Sequence, residues 1–153
     1  MNFEENLKKH QIELEDASTP AGNYVPYIIT NKLVFISGQL PFKQGKIPIT
    51  GIVGETVSSE DAIEMAKLCA LALISQLKSA CDGDLNKVSR VVKLGGFVAS
   101  TLSFTSQPTI INGASDIMVK AFGEQGKHSR FAVGVSSLPL NAPVEIEGIF
   151  ELK

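Results

Sequence analysis

The sequence of 153 residues has no tryptophan and holds only two cysteines and two histidines, so few residues of the types that bind transition metals are present. Cys69 and Cys81 form no CxxC pair, and Cys69 falls inside an apolar helical pattern, which predicts a buried free thiol in a reducing setting. His10 and His128 lie far apart, and neither has ligand-type neighbours at a usable spacing. We therefore expect no metal centre.

An excess of charge of one sign is also lacking. The 14 Lys and Arg against 16 Asp and Glu give a net charge of -2, and the basic residues are scattered, so phosphate-driven binding to nucleic acid would be weak. No early apolar segment approaches the length of a membrane span, and the polar N-terminus does not resemble a signal peptide. We expect a cytoplasmic protein that binds neither nucleic acid nor membrane.

Common catalytic motifs are missing too. The sequence contains no Walker loop and no G-x-S-x-G elbow, and no Ser, His and Asp can be grouped into a triad. What remains is a small polar set in otherwise apolar surroundings, made up of Tyr24, Ser37, Gly38, Gln39, Asn112, Arg130 and Glu145.

The chain length and the apolar content of 44% suit one domain. We assign residues 1–19 to an N-terminal extension, with a short helix near its start, and 20–153 to the core. Apolar periodicity predicts strands at about 27–30, 33–37, 88–100, 131–136 and 144–152, and helices at about 58–80 and 108–122. The order ββαβαββ predicts an α+β fold with two helices on one face of a mixed sheet.

Local signals mark the ends of these elements. Ser58 followed by Asp61 resembles a capping box, Pro108 suits a first helical turn, and Gly123 suits a helix end. The pair Gly95 and Gly96 indicates a bulge or a close approach in the long strand.

Strand alternation predicts the composition of the face that the helices leave uncovered. In the last strand Glu145 and Glu147 share one side, and in the strand before it Arg130 and Gly134 share one side. We expect small residues and carboxylates on one face, packed against another subunit. If the last two strands form a hairpin, Arg130 and Glu145 lie at opposite ends of it, roughly 15 to 20 Å apart.

Arg130 is followed by fourteen uncharged residues before Glu145. A lone guanidinium at the head of a buried strand is costly unless an anion meets it. Its planar fork can give a carboxylate two parallel hydrogen bonds, which a lysine cannot. The pattern predicts an anion-binding residue, although pairing with a surface carboxylate would also explain it. His128, two residues earlier, suits a proton carrier, but we interpret it as ordinary surface.

The segments NYVPY, ISGQLP, SRFAVGVSSLP and VEIEGIF, taken together and in this order, resemble the RidA family of reactive intermediate deaminases, also called the YjgF family and labelled endoribonuclease L-PSP. The resemblance covers about residue 20 to the C-terminus. It implies a chorismate-mutase-like fold, a homotrimer with sites between subunits, no cofactor, and hydrolysis of enamines and imines such as 2-aminoacrylate to 2-oxo acids and ammonia.

The same resemblance implies roles for particular residues. Arg130 matches the arginine that binds the substrate carboxylate, and Glu145 the glutamate that places the attacking water. Tyr24, Ser37 and Gly38 match further pocket residues. Either Asn112 or Asp116 matches the pocket asparagine, because the preceding loop is longer here.

Two alternatives remain beside the deaminase. One is a non-catalytic protein that uses Arg130 to bind a 2-oxo acid or a similar anion. The other, ribonuclease activity, has little support from a sequence without a basic patch or a histidine pair.

Overall fold

The chain folds into a five-stranded mixed sheet with two long helices packed on one face. The computed structural model describes residues 2–153. The helices are α1 (Phe3–Lys9), α2 (Ser59–Ala80) and α3 (Gln107–Phe122), and the strands are β1 (Tyr27–Thr30), β2 (Leu33–Gln39), β3 (Val88–Ala99), β4 (Ser129–Val135) and β5 (Val144–Leu152). The predicted α+β class and the order ββαβαββ are confirmed, and the short α1 precedes them.

The predicted helix signals act as expected. The Ser58 hydroxyl accepts a hydrogen bond from the backbone N–H of Asp61 at 3.1 Å, which satisfies one free donor at the start of α2. Pro108 lies in the first turn of α3, and Gly123 ends this helix with a φ of 60°. Cys69 is fully buried on α2 and, like Cys81, is a free thiol.

The sheet order β1-β2-β5-β3-β4 shows that the last two strands do not form the hairpin considered from the sequence. β3 lies between them, antiparallel to β5 and parallel to β4. The crossover through α3 returns the chain parallel to β3, and the segment after β4 must then pass across β3 to reach β5. A turn-rich linker looks the same in either arrangement, so sequence alone could not distinguish them.

The register places Arg130 on the helix-covered face. Arg130 pairs with Leu94 on β3. Gly96 is two residues after Leu94, so it lies on the same side of the strand, and it faces Ile111 of α3. Glu145 is level with Phe97, whose side lies opposite to that of Gly96. The expectation that Arg130 and the small residues of β4 share the uncovered face with the carboxylates is therefore wrong. Strand alternation gives two faces but does not say which one the helices cover.

Close approaches, not a bulge, explain the two glycines of β3. A Cβ at Gly95 would lie 2.6 Å from the ring of Phe131, and one at Gly96 would lie 2.6 Å from Ile111. The register irregularities of β3 fall earlier, before Lys93. On the uncovered side, Phe97 and Phe131 pack edge to face at 5.3 Å. Ile28, Phe35 and Val133 are exposed large apolar residues of the same sheet.

The N-terminal segment packs on the core. Phe3 and Leu7 of α1 are buried, and the Phe3 ring meets Phe122 of α3 at 5.1 Å. Further along, Gln76 of α2 donates a hydrogen bond from Nε2 to the Ser18 carbonyl at 2.7 Å. Within residues 2–153, no helix combines the length and the apolar character needed to cross a membrane.

Candidate functional site

Four of the expected site residues surround one cavity. Tyr24, Ser37, Gly38 and Glu145 line a space of about 1360 Å³ at the end of β2 and the beginning of β5. Residues of the N-terminal segment, of α2 and of the 139–140 turn complete the lining. Arg130 and Asn112, which the sequence resemblance assigns to the same site, do not line this cavity.

Glu145 is the titratable group at the inner edge of this cavity. Its side chain is half-buried, and burial, followed by the nearby charge of Glu147, raises the pKa of its carboxyl group. Gly38 lies against the Glu145 carboxylate so closely that a Cβ there would collide with it. A carboxylate that is partly shielded from water and next to a like charge binds a proton more readily than an exposed one.

Ser37 and Tyr24 form the outer side of the cavity. The Ser37 hydroxyl donates to the Val25 carbonyl at 3.2 Å, and the Ser37 N–H donates to the Pro26 carbonyl at 2.9 Å. These bonds attach the segment that carries Tyr24 to the end of β2. Tyr24 is 56% exposed, so its ring stands at the opening.

The side chain of Arg130, a residue of β4, contacts α3. Its Nη1 donates to the Ser115 hydroxyl at 3.0 Å, and its Nη2 donates to the Pro108 carbonyl at 3.1 Å. Both partners are neutral, and none of the four ion pairs found among residues 2–153 includes Arg130. The alternative of a surface carboxylate partner therefore has no support within these residues. Two bonds leave other guanidinium donors for a ligand.

Asn112 and Asp116 are both exposed on α3. Asn112 follows Pro108 by one helical repeat and precedes Ser115 by three residues, so it shares the side of α3 that meets Arg130. Asp116 follows Asn112 by four residues and extends the same row. The structure thus brings Asn112 to the Arg130 location, and the choice between Asn112 and Asp116 stays open.

Arg130 and Glu145 cannot contact one small molecule within a single chain. Measured along β3, their levels differ by three residues, at Leu94 and Phe97, and β3 separates their strands. Spacings of about 3.3 Å per residue and 4.8 Å per strand place their backbones roughly 14 Å apart. Their side chains also leave opposite faces of the sheet.

Sequence reasoning missed several residues at these two locations. Ser115 has no sequence signal, and His128, interpreted as ordinary surface, is half-buried beside it: the two side chains are 2.9 Å apart. Burial, and to a smaller extent the Arg130 charge, lowers the pKa of His128, although a bond to the Gly126 carbonyl acts the other way. Leu140 lines the Glu145 cavity with a left-handed φ of 56°.

Metal-binding residues do not converge in the described part of the chain. Among residues 2–153, no three His, Cys, Asp or Glu side chains are placed to hold one ion.

The sheet order and these paired locations define a chorismate-mutase-like α+β protein. Residues 4–151 match the family described as "YjgF/chorismate_mutase-like, putative endoribonuclease". The chain belongs to this family, which is also the RidA family.

Individual relatives cover nearly the whole chain. It is 43% identical to Protein TCP17 of Trypanosoma cruzi over 96% of this chain and 92% of that protein. It is 33% identical to the chloroplastic Reactive Intermediate Deaminase A of Arabidopsis thaliana over 96% of this chain and 68% of that protein. The crystal structure of Atu1372 from Agrobacterium tumefaciens, a protein of unknown function, superposes with a TM-score of 0.92 at 46% identity, covering 99% and 92% of the two chains.

Proposed function

We propose that this protein is a cytoplasmic homotrimeric deaminase that hydrolyses small 2-imino acids, such as the imine of 2-aminoacrylate, to 2-oxo acids and ammonia. The observation that carries the proposal is that two groups lie on opposite faces of one sheet: an arginine without a carboxylate partner among residues 2–153, and a carboxylate whose pKa is raised. Each is suited to one part of such a substrate, and neither can reach the other's part within one chain.

Arg130 would bind the substrate carboxylate. The guanidinium is held by two neutral oxygens and keeps its full positive charge for an incoming anion. Hydrogen bonds to charged groups contribute about 1.5 to 3 kcal/mol each, so a bidentate carboxylate would bind well even in a small molecule. Asn112, exposed along the same row of α3, is placed to donate a further hydrogen bond.

Glu145 would orient the attacking water and accept its proton. The water oxygen bonds to C2 of the imine, one water proton passes to the carboxylate, and the π electron pair of the C=N bond moves to nitrogen, which takes up a proton from solvent. Glu145 then returns its proton to the amino nitrogen. Collapse of the resulting carbinolamine releases ammonia and leaves the 2-oxo acid. A raised carboxyl pKa suits a general base, a role typically worth 10² to 10⁴ in rate.

A second copy of the chain would bring the two parts together. The uncovered sheet face carries exposed Ile28, Phe35 and Val133, which suits burial against another protomer. In a cyclic trimer, each interface would join the Arg130 side of one chain to the Glu145 side of the next, giving three equal sites.

Mixing two inactive variants tests this arrangement. Arg130→Ala and Glu145→Gln proteins are each unfolded, combined in equal amounts and refolded together. Sites built across chains recover about one quarter of wild-type 2-aminoacrylate hydrolysis, because a quarter of the interfaces pair an intact arginine with an intact glutamate. Variants refolded separately and then assayed together, before subunits exchange, are the control.

The other outcomes identify the alternatives. Pyruvate binding that is lost in Arg130→Ala, without turnover by the wild type, identifies a 2-oxo acid binding protein. RNA cleavage that persists in Arg130→Ala and falls steeply with salt identifies a ribonuclease. Wild-type turnover without recovery in the mixed protein contradicts the intersubunit site.

A further inference from the structure

A chain of hydrogen bonds behind Arg130 joins three elements of the fold. Arg130 of β4 donates from Nη1 to the Ser115 hydroxyl of α3 at 3.0 Å. The same hydroxyl lies 2.9 Å from Nε2 of His128, whose Nδ1 lies 2.6 Å from the Gly126 carbonyl. The proposed catalytic steps use neither Ser115 nor His128.

The direction of each hydrogen bond in this chain follows from its two ends. A guanidinium only donates and a backbone carbonyl only accepts, so the Ser115 oxygen accepts from Arg130, and Nδ1 of His128 carries a proton. Neutral His128 then presents Nε2 as an acceptor for the Ser115 hydroxyl proton. Burial and the Arg130 charge lower the pKa of His128, which favours this neutral form.

We propose that Ser115 and His128 are positioning residues that fix the Arg130 guanidinium, so that its remaining donors face an incoming carboxylate. His128 fixes the hydroxyl rotor of Ser115, and Ser115 fixes Nη1, while the Pro108 carbonyl holds Nη2. A long side chain that is already immobilised loses less conformational entropy when it binds a ligand. The inference rests on the proposed function for the role of Arg130 as the anion-binding residue.

Several charged residues lie near His128. His128 lines a recess of about 570 Å³ together with the charged residues Arg90, Lys127 and Glu151. Arg130 approaches from β4. These residues are common to the wild type and to variants at position 115, so a difference between those proteins reports on the hydrogen-bond relay from His128 through Ser115 to Arg130.

Titration calorimetry with pyruvate tests the positioning role. Ser115→Ala weakens pyruvate binding about tenfold, because the guanidinium loses one of its two fixed partners. Ser115→Thr keeps the hydroxyl and restores binding to within about twofold of wild type. The control Ser129→Ala removes an exposed hydroxyl next to Arg130 in the chain, and this hydroxyl donates to the Val92 carbonyl and not to Arg130. This variant binds pyruvate as the wild type does. Matched melting curves show that Ser115→Ala remains folded.

Nitrogen NMR of the imidazoles gives a second readout. The chain has two histidines, so His10 serves as the internal reference. His128 shows the Nδ1–H tautomer, and pyruvate raises the pKa of His128, because the bound carboxylate offsets the charge of Arg130. The His10 nitrogen signals do not respond to pyruvate.

The outcomes separate the relay from the proposed function. Pyruvate binding that is abolished in Arg130→Ala but unchanged in Ser115→Ala overturns the relay and leaves the anion site intact. An Nε2–H tautomer of His128 in the wild type also overturns the relay. Pyruvate binding that is unchanged in Arg130→Ala overturns the proposed function of the arginine itself.

Discussion

The Arg130 location and the Glu145 location differ in how the fold prepares a charge. Arg130 is held by neutral oxygens at the outer strand of the sheet, so its charge is offset by no carboxylate among residues 2–153. Glu145 is half-buried next to Glu147, so its ionised form is disfavoured. The first arrangement suits binding of an anion and the second suits acceptance of a proton. The difference predicts that substitutions at the two locations affect different kinetic constants.

Substitution of Glu145 is expected to give the largest effect. Glu145→Gln keeps the size of the side chain but removes the base, so kcat for 2-aminoacrylate hydrolysis falls by about 10² to 10⁴. Pyruvate affinity stays within about threefold of wild type, since the anion contacts are unchanged. Steady-state kinetics and calorimetry measure the two quantities.

Glu147→Gln is the matched control on the same face of β5, and it lowers kcat by less than about threefold. A loss of 10² or more in this control, with a mild effect of Glu145→Gln, would transfer the base role to Glu147. Removing the Glu147 charge also lowers the pKa of Glu145, so the acidic limb of the pH–rate profile moves to lower pH.

Arg130→Lys tests whether the anion site needs the planar guanidinium. The charge remains, but the bidentate bonds and the fixed contact to Ser115 are lost, so kcat/KM falls by roughly 10 to 100-fold, mainly through KM. The control Arg90→Lys replaces an exposed arginine on β3 and leaves kcat/KM and KM unchanged. Equal activity of Arg130→Lys and wild type would contradict recognition of the substrate carboxylate by the planar guanidinium.

Gly38→Ala tests whether turnover depends on the exact position of the Glu145 carboxylate. The new methyl group meets the carboxylate end of Glu145, a flexible side chain, so the fold adapts while the carboxylate moves. We expect kcat to fall about tenfold, with little loss of stability. In the Glu145→Gln background the same change has no further effect on kcat, and additive losses in the double variant would contradict coupling.

The smallest expected effect is on stability. Because the pKa of Glu145 is higher in the folded than in the unfolded chain, its contribution to stability is complete below the unfolded pKa and is lost as pH rises through the folded pKa. Glu145→Gln is therefore slightly more stable than wild type at pH 7.

Urea denaturation at a fixed protein concentration measures this difference at pH 7 and again below about pH 4, where it disappears. A variant that is less stable than wild type at pH 7 would contradict the direction of the pKa shift.

Much of the fold follows from local patterns in the sequence. The caps at Ser58 and Gly123 and the apolar periods of α2 and α3 are set by residues close in the chain, so their predicted ends agree closely with the structure. The sheet order depends on the path of the chain between β4 and β5, which no local pattern encodes. The assignment of Arg130 to the uncovered face failed for a separate reason, because strand alternation separates two faces without saying which one the helices cover.

The candidate site also has residues that the sequence suggested and residues that it did not. Tyr24, Ser37, Gly38 and Glu145 line one cavity because β2 and β5 are neighbours and their paired ends converge. Ser115 meets Arg130 and His128 only through the packing of α3 on β4. A single serine within a helix and a single histidine in a loop carry no sequence signal for such a contact.

The placement of Arg130 and Glu145 on opposite faces has a consequence for assays. If every working centre needs two chains, specific activity depends on protein concentration and declines on dilution as the assembly dissociates. Adding back inactive Glu145→Gln protein, which still supplies an intact arginine side, would then raise the turnover of a dilute wild-type sample. An ordinary single-chain enzyme would show neither behaviour.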